Sequence, residues 1–221
     1  MAMFEGAVLD DAWRIIGRYP TSRERSAIMP LLYLAQSIDG MVTQDALREI
    51  GGLLAITTAE VEAVATFYSM YRLRPTGEHV VNVCTNLACK LRGAEAVYEA
   101  AHEAAGVAQS DERSDDGMFT VHEEECLGVC DHAPAVQVDF CNHDDVTPER
   151  MRGLIASLRG GDVPAPARGP AFASFKAASR ALAGLEEVPA ACRSSLGSRA
   201  IGPTRMPSAS TATWRPAGTR A

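Results

Sequence analysis

Residues 79–93 read HVVNVCTNLACKLRG, and the fold depends on how that stretch divides. His79–Cys84 is a short apolar run rich in valine, preceded by Pro75 and Gly77, which reads as a strand. The period then changes. Arg92–Ala105 sets Ala94, Val97, Ala101 and Ala104 on one helical face, with Gly106 placed to stop it. An Asp-, Ser- and Gln-rich loop follows at 107–117. Met118–His122 (MFTVH) and Ala135–Phe140 (AVQVDF) read as strands, and Pro148 opens a last helix to about Leu158. Strand, helix, strand, strand, helix describes a small α/β layer over residues 76–160.

Towards the N-terminus, residues 1–75 read as helical. Thr21-x-x-Glu24 after Pro20 has the form of a capping box, in which two side chains satisfy each other's free backbone N–H groups. Ile28, Leu31, Leu32, Leu34, Ala35 and Ile38 follow at helical spacing until Asp39-Gly40. Thr43 is placed to cap a second helix through Leu54, and Thr57-x-x-Glu60 a third through Tyr68. A weaker helix is expected around Asp11–Gly17. Short connections imply antiparallel neighbours, hence a small helical bundle.

Towards the C-terminus the composition changes. Residues 161–221 hold eight Lys/Arg against three Asp/Glu, a balance of +5, so the first 160 residues carry −12 of the net −7. Seven of the twelve prolines also lie there, and the stretch is expected to be a disordered tail, although Phe172, Phe175, Leu182 and Leu185 have the spacing of one helix face. The acidic body argues against nucleic acid as a partner, because such binding depends on neutralising phosphates. No run of about 18 apolar residues is present to span a bilayer. The N-terminus, MAMFEGAVLDDAWR, lacks the basic-then-apolar form of a signal peptide, so a cytoplasmic protein is expected, in which cysteines serve metals or redox chemistry rather than structural disulfides.

Four of the six cysteines form two close pairs: Cys84 and Cys89 with four residues between them, and Cys126 and Cys130 with three. Each pair falls just after a predicted strand. If those strands are neighbours, both loops leave the sheet at one edge and four thiolates converge, which suits a [2Fe–2S] core with two sulfurs per iron. Cys89, just ahead of the helix at Arg92, gains from the unpaired N–H groups of a helix start. A structural zinc site more often uses a two-residue gap, and a dithiol redox site normally has Cys-x-x-Cys. Cys141 alternates with Val136 and Val138 and reads as a packing residue; Cys192 reads as incidental. His122, His132 and His143 are expected to be structural, since no ligand position is left for them. No Gly-x-Gly-x-x-Gly motif is present, so nucleotide binding is not expected on this chain.

Five stretches carry a family resemblance: YPTSRERSAIMPLLYLAQ (19–36), VEAVATFYSMY (61–71), VNVCTNLACKLRGAE (81–95), DGMFTVHEEECLGVCDHAPAVQV (116–138) and the Thr147-Pro148 helix start. Over roughly residues 10–158 the chain resembles the E subunit of NADH:quinone oxidoreductase, the thioredoxin-like [2Fe–2S] subunit of respiratory complex I. The resemblance implies an N-terminal helical bundle followed by a thioredoxin-like ferredoxin domain, with Cys84, Cys89, Cys126 and Cys130 as the ligands of one [2Fe–2S] cluster. It implies a cis proline at Ala133-Pro134. It also implies a partner flavoprotein subunit that binds NADH and FMN, further subunits of a peripheral arm, and attachment to the inner face of the cell membrane through the complex. No complete active site is expected on this chain alone. Equivalent subunits of NAD-linked hydrogenases and formate dehydrogenases, and a free-standing ferredoxin, are the alternatives. The resemblance says nothing about residues 161–221.

Two features bear on how such a centre would behave. Glu123, Glu124, Glu125 and Asp131 flank the second pair, and negative charge there disfavours an added electron, pointing to a low potential. Trp13, Tyr19 and the TFYSMY stretch (66–71) supply aromatic residues of the kind that anchor interfaces.

Overall fold

Side-chain caps set most of the helix starts in the chain, a computed structural model of which describes residues 3–108 and 112–185. Helix α1 spans Ala7–Ile16 and α2 Ile28–Asp39, ending where Gly40 takes the left-handed conformation at φ 74°. Thr43 accepts from the Ala46 N–H at the start of α3 (Gln44–Leu54). Thr57 and Glu60 form the complete reciprocal box that opens α4 (Thr58–Phe67). The Thr21–Glu24 pair does not do the same. Ser22 turns left-handed (φ 71°), its N–H goes to Glu24 Oε1, and a 3₁₀ turn at Glu24–Ala27 leads into α2. The four helices bury Ile15, Leu31, Leu32, Leu34, Leu47, Ile50 and Val61 completely, each worth about 1.5–3 kcal/mol relative to exposure.

The second core is built on a four-stranded sheet of order β2-β1-β3-β4. Strand β1 (His79–Cys84) is buried throughout and pairs in parallel with β2 (Phe119–Glu124) and antiparallel with β3 (Val136–Val138). The parallel pair needs a crossover, supplied by α6 (Ala94–Ala105) after a short α5 (Leu87–Leu91). Val81, Val83, Phe119, Val121, Val136 and Val138 form one face. They pack against Val97, Ala101, Met151, Ile155 and Leu158 of α6 and α7 (Pro148–Arg159). Thr147 caps α7 through the Arg150 N–H, with Pro148 at the first turn.

Two sequence expectations are corrected at this level. Ala135–Phe140 is not one strand: Asp139 (φ 47°) and Phe140 (φ 65°) both turn left-handed, and the chain reverses into β4 (Cys141–His143). Asp tolerates that conformation and Phe does not, so at Phe140 tertiary contacts hold it. Asp139 accepts from the Val80 N–H at 2.8 Å and lies 2.6 Å from His79 Nδ1, while Phe140 stacks on Phe175. Cys141, buried, therefore opens β4 opposite Val138 rather than ending a strand.

The second correction concerns the tail. Over 161–185 the chain is not a structureless linker. It returns across the sheet and forms α8 (Phe175–Leu182), capped by Ser174. Phe175, Ala178 and Ser179 are buried, Ser179 Oγ receives the Gln36 amide from α2, and Arg180 pairs with Asp11 of α1. Arg18 closes the end of the helix by donating to the Ala183 and Gly184 carbonyls. Proline and alanine content hid an amphipathic eight-residue helix whose side-chain hydrogen-bond partners on α1 and α2 lie more than 130 residues away. The expected disorder of 186–221, with Cys192, lies outside the described residues.

Candidate functional site

Because β1 and β2 run in parallel with Cys84 opposite Glu124, both strands deliver the chain to the same sheet edge. From Cys84 the chain passes through Thr85 and Asn86 into α5, where the Asn86 side chain accepts from the Leu87 N–H and Cys89 sits mid-helix. This corrects the expectation that Cys89 precedes a helix start: the pair Cys84–Cys89 spans a strand end and a short helix. From Glu124 the chain enters a loop in which Gly128 is left-handed (φ 72°), then a 3₁₀ turn at Cys130–His132. The third approach comes from Ala133 to Ala135, with Ala133–Pro134 cis.

The four sulfurs meet as two unequal pairs. Cys84 and Cys89 are each 2% exposed, within a small apolar cluster of Ala94, Val129, Ala133 and Ala135, with Ala88 and Leu127 against it. Cys126 and Cys130 are exposed. Cys84 lies close enough to Cys89, and Cys126 to Cys130, to oppose the neighbour's ionisation, and Cys84 Sγ bonds to the Glu125 carbonyl at 3.6 Å. Burial pushes the Cys89 thiol up to about 11, with the neighbouring Cys84 and Cys130 adding to it, while a hydrogen bond from the Ala135 backbone favours the thiolate. Cys130 is raised chiefly by Cys126 and, further down, by Cys84. The mutual influence of Cys130 with Cys84 and Cys89 means that the two pairs face one another. Among the described residues, no three His, Cys, Asp or Glu side chains converge on one point as a single ion would require. Two facing pairs of thiols could supply two irons with two sulfurs apiece.

The chain surrounds these sulfurs with backbone fixed by hydrogen bonds. The Cys84 N–H donates to the Ala135 carbonyl at 3.1 Å and Thr85 N–H to Glu124 at 3.1 Å, while Arg92 Nε donates to the Ala133 carbonyl at 3.2 Å. Of the acidic residues, Glu123 bonds to the Thr85 hydroxyl and Glu124 to Ser69 of the helical bundle. The histidines have partners other than the cysteines. His122 faces Glu112, His132 lies between Asp131 and Asp145, and burial lowers the pKa of His143. Leu87 and Leu91, on α5, are 70% and 79% exposed, and Phe67 on α4 is 78% exposed. Sequence reasoning named the aromatic stretch but not the two leucines, whose i,i+4 spacing is visible only once α5 is recognised as a helix.

Comparison with known proteins agrees with this geometry. The family model of the thioredoxin-like [2Fe–2S] ferredoxin matches residues 12–159. The NADH-quinone oxidoreductase E subunit of Mycobacterium bovis is 46% identical over 177 residues, covering 80% of this chain and 69% of that protein. With only eleven residues ahead of position 12, a match of that length also runs past 159, towards α8. NADH-quinone oxidoreductase subunit 2 of Thermus thermophilus is 41% identical over 145 residues, and the E subunit of Rickettsia bellii 38% over 157, covering 80% and 93% of those proteins. A crystal structure of an NAD+-reducing [NiFe]-hydrogenase shares the fold at a TM-score of 0.52 and 21% identity, over 60% of this chain and 23% of that one. The chain belongs to the thioredoxin-like [2Fe–2S] ferredoxins, the family of one-cluster proteins that includes the E subunit of NADH-quinone oxidoreductase.

Proposed function

We propose that Cys84, Cys89, Cys126 and Cys130 hold the [2Fe–2S] cluster, and that the chain exchanges electrons with the FMN of a neighbouring NADH-binding flavoprotein subunit in NADH:quinone oxidoreductase. The observation that carries the ligand assignment is the meeting of two cysteine pairs at one sheet edge, the members of each pair close together and the two pairs within electrostatic reach of one another. Bound there, the cluster supplies a one-electron carrier. The chain's own residues then have three tasks. The four thiols lose their protons to become ligands, which metal binding favours over the raised pKa of Cys89. The Ala135 N–H supports the Cys89 thiolate. Ala88, Leu127 and Val129 keep water from the inner side.

The second pair is exposed, the exposed Leu87 and Leu91 stand on α5 to either side of Cys89 in sequence, and Glu124 bonds to Ser69, two residues after the exposed Phe67. Such a surface supports docking to a partner that brings its redox group close to Cys126 and Cys130, and a helical bundle attached to the ferredoxin layer is more than a free-standing shuttle needs. The proposed position is peripheral, at the inner face of the cell membrane within the complex; no helix among the described residues is long and apolar enough to cross a membrane. Anaerobic purification from the native host, with iron and acid-labile sulfide analysis and identification of the stoichiometric neighbour, tests both halves. Two irons and two sulfides per chain alongside a flavoprotein partner are expected. A colourless chain defeats the ligand assignment, and a hydrogenase or formate dehydrogenase neighbour redirects the function.

A further inference from the structure

Arg72 lies in the segment that carries the chain from α4 to β1, and it joins the two halves of the molecule. Its backbone N–H donates to Gln36 Oε1 at 2.7 Å and its carbonyl accepts from the Val42 N–H at 2.7 Å, which fixes the main chain to the helical bundle. Gln36 is itself fully buried and bonded onward to the Met70 carbonyl and Ser179 Oγ. The side chain leaves the bundle and reaches the sheet, where Nη2 donates to Asn82 Oδ1 at 2.6 Å. From there a row of amides crosses three strands, Asn82 donating to Gln137 and Gln137 to Asn142, on the face turned away from α6 and α7.

That face includes the first ligand position. Asn82 precedes Cys84 by two residues, roughly 7 Å of strand rise, so their side chains leave β1 on the same side. Across the parallel pair, Asn82 is opposite His122 and Cys84 is opposite Glu124. Burial pulls the Arg72 guanidinium's pKa down while Glu124 and then Glu112 push it up; a guanidinium stays charged through such shifts. Its Nε is buried and has no hydrogen-bond partner among the described residues. A cation held this way is screened by salt far less than the exposed acids around it.

We propose that Arg72 is a fixed positive charge, supplied by the helical bundle, that raises the reduction potential of the centre held by Cys84, Cys89, Cys126 and Cys130 against the acidic rim of Glu123, Glu124, Glu125 and Asp131. The proposal rests on the ligand assignment above. Its physical basis is that reduction adds negative charge, which a nearby half-buried cation favours. On this view the bundle helps to set the potential as well as completing the fold.

Potentiometric EPR titration of the full chain, prepared anaerobically with iron and sulfide quantified, tests it. Arg72→Met shifts the midpoint to more negative potential at unchanged cluster content and unchanged line shape, and the shift persists at high salt. Arg72→Lys falls between Arg72→Met and the wild type. Arg72→Gln removes the charge while keeping a donor for Asn82 and moves the midpoint in the same direction, and it decides the matter if Arg72→Met does not fold. A fully loaded Arg72→Met or Arg72→Gln protein with the wild-type midpoint overturns the proposal. Wild-type protein without iron and sulfide overturns instead the ligand assignment beneath it.

Discussion

The two cysteine pairs differ in almost everything except their element. Cys84 and Cys89 are built into a strand end and a helix, each only 2% exposed, with an apolar layer of Ala94, Val129, Ala133 and Ala135 around them. Cys126 and Cys130 lie exposed on a loop and a 3₁₀ turn, flanked by acids. A buried thiol is costly to ionise without a compensating cation, which is why burial raises Cys89. Cys126 and Cys130 are open to a partner. On the proposed ligand assignment, the difference separates holding the cluster from exposing it to a donor or acceptor.

The largest effect should erase the comparison. Serine at Cys84 or at Cys126 is expected to abolish the intact centre, measured as iron and sulfide per chain, because each iron needs both thiolates of its pair. An unchanged centre in either variant removes that residue from the ligand set. In metal-free protein the pairs should separate sharply. At pH 8, iodoacetamide is expected to modify the exposed Cys126 and Cys130 faster than Cys89, which is buried and, raised to about 11, holds only about one part in a thousand as thiolate. Equal labelling by mass spectrometry would mean that the inner pair is open.

The pH dependence sharpens the same contrast. Cys89 has a folded pKa above its unfolded value, so its contribution to metal-free stability is fully present below the unfolded thiol pKa of about 8.5. That contribution is lost as pH rises through the folded value of about 11. Chemical denaturation between pH 8 and 11 should therefore show falling stability, and the slope should be shallower in Cys89→Ala, the remainder coming from Cys130 and from the tyrosines that burial raises.

A smaller effect concerns the acidic rim. Glu124→Gln is expected to raise the midpoint by tens of millivolts, on the order expected for one partly screened charge near 10 Å. An unmoved midpoint would show the rim to be screened by solvent. Smallest of all, Thr57→Ala removes the capping box of α4 and should cost about 1 kcal/mol in thermal or denaturant unfolding. It should leave cysteine labelling in the folded state unchanged, because the cap lies in the other half of the molecule.

Much of the fold follows from local chemistry. The caps at Thr43, Thr57 and Thr147, the stops at Gly40 and Gly106, and the valines of β1 each act over a few residues, so they could be read directly. The cysteine spacing, which decides the chemistry, is equally local. Three features depended on distant partners and were not legible. Asp139 and Phe140 turn left-handed because His79, Val80 and Phe175 hold them there. Thr21 and Glu24 fail to close a box that Thr57 and Glu60, with the same spacing, do close. Helix α8 is capped locally by Ser174 but stabilised by Gln36, Asp11 and Arg18.

By itself, then, the sequence determined the helices, the central strand and the four thiols, because periodicity, capping and spacing are short-range properties of the chain. Tertiary structure alone decided which pair is buried, where Arg72 places its charge and how the C-terminal helix fastens the bundle to the sheet. Burial and electrostatics depend on what packs nearby, and those neighbours come from residues far apart along the chain.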